Sequence, residues 1–71
     1  MLYLKKIMQD NKITIKTLEN SVFGGGYKVM NVLNKHSVSI DILKKIKEYF
    51  VKQGILNKDF DIGMFLDDVT S

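Results

Sequence analysis

The sequence contains no cysteine, so neither a disulfide framework nor a thiolate metal site can hold it together. It has one histidine, His36, which alone cannot build a histidine-based metal site. It also lacks arginine: all eleven basic residues are lysine. No apolar run approaches the ~20 residues that a bilayer-spanning helix needs. The first residues lack the charged-then-apolar layout of a secretory signal, so a cytoplasmic protein with no membrane partner is expected. What remains is an ordinary hydrophobic core. Seventy-one residues with 45% hydrophobic content describe one small globular domain, too apolar for a disordered chain.

The charge is unevenly placed. Residues 1–58 hold all eleven lysines against Asp10, Glu19, Asp41 and Glu48, a net +7. Residues 59–71 hold Asp59, Asp61, Asp67 and Asp68 and no base, a net −4. A basic body suits a polyanion and an acidic tail does not. A solvated lysine surface is the plainer account of the same pattern.

The apolar periodicity is helical over most of the chain. Leu4, Ile7 and Met8 share one face of a helix expected from Leu2 to about Asn11, where Asn tolerates a left-handed stop. Thr14 is a good N-cap type, so a second helix is expected from Ile15, with Leu18 and Val22 on one side. Gly24-Gly25-Gly26 ends it in a tight turn. A third helix is expected over Tyr27–Asn34, with Val29, Val32 and Leu33 inward. Its outer face would hold Lys28, Asn31 and Lys35, with Tyr27 and Met30 beside them. After a loop at Lys35–Val38, Ser39 caps a fourth helix that carries Asp41 in its first turn and runs to about Gln53, with Gly54 as its stop. Ile40, Leu43, Ile46 and Phe50 keep its inward period. The tail, Ile55 to Ser71, is too apolar to be free. It reads either as a short helix capping the core or as a strand pairing with a second copy.

Thr14 to Leu33 resembles the helix-turn-helix of the Cro/CI-like (XRE) family of phage and bacterial repressors. The similarity runs without a gap from Leu4 to Phe50, about two thirds of the chain. Leu4 and Ile7 match the family's first apolar pair, Ile13-Thr14 its entry to helix two, and Leu18 its helix-two leucine. Val29 and Val32 match the recognition-helix anchors, and Ser39-Ile40-Asp41-Ile42-Leu43, continued by Ile46 and Phe50, the fourth helix. Four positions depart from the pattern. Ile15 stands where glutamine is usual, Glu19 where alanine is common, Phe23 at the turn glycine, and Lys47 where a small buried residue is expected. Lys47 must then lay its stem along the core and lift its charge out. The resemblance implies an all-α fold, a compact four- to five-helix lambda-repressor-like domain with a central helix-turn-helix at 1–54. A short apolar, acidic tail at 55–71 would cap the core or mediate self-association.

The resemblance also implies a small, sequence-specific, DNA-binding transcriptional regulator, a repressor or Cro-like protein of a phage or mobile element. It would act as a homodimer on double-stranded operator DNA, with a recognition helix at about 26–34 in the major groove. Asn31 would bond adenine, Lys28 would reach guanine acceptors, Tyr27 would contact a thymine methyl or a phosphate, and Met30 would stand beside them. Gly25 and Gly26 would offer backbone N–H groups to a phosphate at a helix start. Thr14, Lys16 and Lys35 would meet phosphates. The alternative is a protein-binding module of the same fold, an antirepressor or modulator acting on a partner repressor. The glycine run lacks phosphate-loop spacing, and Asn57-x-Asp59-x-Asp61 lacks the bend glycine of a calcium loop, with Ile62 in its place. No metal, no cofactor and no enzymatic activity are expected.

Overall fold

Every helix needs partners for its first amide groups, and here they come from several places. The computed structural model describes residues 1–36 and 38–69; Ser37, within the expected loop, and Thr70 and Ser71 lie outside them. Helix α1, Tyr3–Asp10, has no capping side chain. Instead the Tyr3 N–H donates to the Asp67 carbonyl at 2.8 Å, so the tail closes the helix. Helix α2, Ile15–Phe23, is capped by the Thr14 hydroxyl, which accepts from the Thr17 N–H at 3.1 Å. Helix α3, Lys28–Leu33, is one residue shorter at each end than its periodicity suggests. Helix α4, Ile40–Lys52, is capped by Ser39, which accepts from the Ile42 N–H at 3.2 Å. A 3-10 turn, Ile62–Leu66, follows, capped by Asp61.

Helices α1, α3 and α4 stop in the same way. A residue in the left-handed region, Lys12 (φ 56°), Lys35 (φ 57°) or Gly54 (φ 75°), reverses the chain. The next N–H then reaches back five residues, Ile13 to Met8, His36 to Asn31 and Ile55 to Phe50, at 2.8–2.9 Å. At the first stop it is Lys12, and not Asn11, that turns left-handed. Asn11 keeps φ −107° and donates its side-chain amide to the Ile7 carbonyl at 2.8 Å. The turn after α2 is different. Gly25 and Gly26 sit at φ 117° and 96°, well beyond the left-handed well that other residues enter, so glycine is required there.

The core takes side chains from every element: Leu4, Ile7 and Met8 of α1, Leu18 of α2, Val29 and Val32 of α3, Leu43, Ile46 and Phe50 of α4, and Phe65 of the 3-10 turn. The result is a compact all-α domain of four helices plus a 3-10 turn, with no strand among the described residues. Its Cα radius of gyration, 10.9 Å, matches the ~11 Å expected of a folded chain this long. Among the described residues no helix is long and apolar enough to cross a membrane. Ile40, placed inward by its spacing, is 64% exposed, because it stands in the first turn of α4 at the edge of the buried stripe. Lys47 is half-buried, as its position beside that stripe requires.

The tail packs on its own domain rather than presenting a free strand. Phe65 is fully buried, with its ring 4.9 Å from that of Phe60 and 6.0 Å from that of Phe50. Phe60 in turn stacks on Tyr3 of α1 at 6.0 Å. Beyond the turn, Leu2 and Asp68 form a single antiparallel bridge. Asn57 and Asp61 turn their oxygens onto the Asp59 and Gly63 N–H groups, as side chains of these types do in turns.

Removing the Phe65 ring should cost about 3–5 kcal/mol, a large part of the roughly 4–10 kcal/mol available to a chain of this size. Phe65→Ala is therefore expected to lose most of its urea resistance, read by far-ultraviolet circular dichroism; an unchanged midpoint would remove the tail from the core. Lys12→Gly should instead gain about 0.5–1 kcal/mol, the left-handed strain relieved less the added freedom of the unfolded chain.

Candidate functional site

The α2–turn–α3 unit is held by one buried carboxylate. Glu19 is 3% exposed, and its two oxygens accept from the Val29 N–H at 2.9 Å and the Met30 N–H at 3.2 Å. These are the second and third amides of α3, the pair that an N-cap side chain normally serves. Tyr27, at the N-cap position, makes no such bond. An acid from the preceding helix thus caps α3 across the turn, where the partial positive charge of the helix start also favours it. On the same turn the Gly25 N–H donates to the Glu19 carbonyl at 3.1 Å.

This arrangement changes two expected roles. The Gly25 N–H and the α3 amides are engaged within the chain, so the phosphate cradle expected at this helix start is already filled by a carboxylate. Gly26 remains exposed beside it. The outer face of α3 also differs from the expected one. Tyr27 is 72% exposed and Met30 40%, whereas Asn31 is half-buried. The Lys28 amine lies over the Phe23 ring, 5.2 Å from its centroid, a cation–π contact that draws it toward α2. Of the expected outer row, Lys28 and Lys35 are exposed and Asn31 is half-buried. Tyr27 and Met30 also project.

Two shallow grooves flank that projection. One is lined by Lys16 and Asn20 of α2 with Gly26, Tyr27 and Met30. The other lies between Leu2 and Lys5 at the start of α1 and Leu33 and Lys35 at the end of α3. Ile15 and Met30 line both, so they form the ridge between them. The ridge is apolar, and lysines stand on either side: Lys16 in one groove, Lys5 and Lys35 in the other. Asp68 also lines the second groove, so its charge is mixed. Among the described residues none of Lys5, Lys16, Lys28 and Lys35 is paired with an acid. Thr14 is exposed, but its hydroxyl is engaged by the Thr17 N–H and Oγ1.

The structure thus brings Lys16, Gly26, Tyr27, Met30 and Lys35 to one surface, with Lys5 and Ile15 added to it. Lys5 gave no signal, since it belongs to a helix that periodicity assigns to the core alone. Glu19 did give one. It stands four residues after Ile15, one after Leu18 and four before Phe23, an acid in the middle of an apolar arc, and such an acid must find donors. Among the described residues no three His, Cys, Asp or Glu side chains gather closely enough to hold a metal ion. Comparison with protein-family models, curated proteins and solved structures finds no match to this chain.

Glu19→Ala leaves two inward amides without an acceptor and should cost about 1–3 kcal/mol. Glu19→Gln keeps one oxygen acceptor and should lose less. Urea titration of both variants checks the order; equal stability of Glu19→Ala and the parent would show that the carboxylate does not hold α3.

Proposed function

We propose that the protein is a small DNA-binding regulator that places α3 in the major groove of duplex DNA, with α2 and α3 acting as a helix-turn-helix. The observation that carries this reading is the disposition of lysines around the ridge. A helix in the major groove lies between two phosphate backbones, and a ridge with unpaired lysines on both flanks fits that geometry. Lys16 serves one strand and Lys5 and Lys35 the other. The similarity of Leu4–Phe50 to the Cro/CI-like repressor pattern supports the same reading, and with it action as a homodimer on an operator. Lysine supplies charge without the planar fork of arginine, so these contacts set affinity and register rather than sequence.

A second reading is favoured by the ridge itself. Tyr27, Met30 and Ile15 are apolar, and apolar side chains ringed by charge also suit a protein groove. On that reading the chain is a protein-binding module of the same fold that modulates a partner regulator.

Fluorescence anisotropy with duplexes taken from the DNA flanking the chain's own gene, at two salt concentrations, separates the two. DNA binding predicts affinity that falls steeply with salt. Lys16→Ala and Lys35→Ala should each weaken binding to all sequences alike and lower the salt slope by about one unit. Sedimentation of the complex reports whether two chains occupy one site. No binding at low salt would leave the protein-binding reading in possession.

A further inference from the structure

We infer that α3 reads thymine methyl groups, with Met30 and Tyr27 as the specificity-determining residues, so that the favoured duplex is rich in A·T pairs at the positions they face. The inference rests on the DNA-binding reading and names the base chemistry of that same surface. The premise is what α3 presents. Of the polar readers that its sequence offers, Asn31 is half-buried, and Lys28, though exposed, carries its amine over the Phe23 ring. No arginine is available to fork onto guanine. Tyr27 and Met30 remain, one helical turn apart, 72% and 40% exposed, with Ile15 behind Met30.

Base edges in the major groove are almost wholly hydrogen-bonding surface, and the one apolar feature among them is the C5-methyl of thymine. A thioether that meets a guanine O6 or a cytosine N4 strips water from a polar atom and returns no hydrogen bond. Against a methyl, the same contact removes apolar surface from water on both sides. Methionine suits the task, being unbranched and polarizable enough to follow a methyl whose position shifts between steps. The Glu19 bond to the Met30 N–H at 3.2 Å fixes the backbone from which that side chain projects.

The experiment begins by selecting duplexes from a random pool with the full chain, then replaces each enriched thymine with deoxyuridine, which removes only the methyl. Enrichment of A·T pairs is expected, with a loss of about fourfold in affinity per methyl read, the worth of one buried methyl-sized group. In Met30→Ala, deoxyuridine at the position facing residue 30 should have no further effect, while Met30→Leu should keep most of it. Met30 is exposed, so neither variant should disturb folding, which circular dichroism confirms. Duplex binding that is indifferent to the methyl, or a selected site with G·C at the sensitive positions, overturns this inference and leaves DNA binding intact. Absence of duplex binding at low salt overturns both.

Discussion

The geometry of the α2–α3 unit depends on a single carboxylate. Helix α3 is only six residues long, below the length at which a helix persists by itself, and its N-cap residue provides no side-chain bond. The turn before it contains three consecutive glycines, the most permissive backbone available, and fixes nothing by its own stiffness. What remains is the burial of Val29 and Val32 and the pair of bonds from their neighbouring amides to Glu19. Burial alone positions an apolar stripe loosely about the helix axis. Two directed bonds to one rigid carboxylate set its start against α2. Because one of the two amides belongs to Met30, a residue of the ridge is anchored at its own backbone.

The same bond redistributes the electrostatics of the surface. A helix start is a natural place for an external phosphate, but here an internal acid has taken it. Any attraction for a polyanion must therefore come from lysines beside α3 rather than from its amides. Those lysines lie on three elements, Lys5 on α1, Lys16 on α2 and Lys35 at the end of α3. Their placement spreads the positive charge over both flanks of the ridge. The acidic tail works the other way. It delivers Asp68 to the edge of the second groove while closing the start of α1 through the Asp67 carbonyl. The tail is thus part of both the fold and the surface.

Much of the helical layout was legible because its determinants are local. Thr14 and Ser39 announce two helix starts, Gly24 and Gly54 announce two stops, and Leu4, Ile7 and Met8 repeat at helical spacing, as do Leu43, Ile46 and Phe50. The readings that changed are those fixed by tertiary contacts. Ile40 continues the period of α4 but stands outside the core at its first turn. The tail residues carry too short a pattern to choose between helix and strand, and the choice is made by Phe65 entering a pocket lined by aromatic rings. Asn31 falls on the polar side of a helical wheel yet is half-buried in a six-residue helix close to its neighbour, whereas Lys28 on the same side is exposed. Glu19 was the informative misfit, an acid among apolar positions whose partners lie ten residues ahead, across a turn that local patterns do not describe.

An apolar ridge flanked by lysines divides labour in a way that bears on assembly. On the proposed DNA-binding reading, the lysines would contribute affinity that is nearly blind to sequence. Two or three thymine methyls read as proposed would contribute about 2 kcal/mol of discrimination, or roughly thirtyfold, at the worth of a methyl-sized group each. Specific regulators discriminate by about a thousandfold or more. One copy of such a surface falls well short of that, whereas two copies on adjacent half-sites reach about 4 kcal/mol, close to a thousandfold. The weaker the single readout, the more the proposed function would depend on a homodimer. Its contact has to lie away from the ridge, and since Phe65 is fully buried in its own domain, the tail has no free strand to lend. Away from the ridge, Val38 and Ile40 at the entry to α4 and Met64 in the 3-10 turn are the exposed apolar residues such a contact could use.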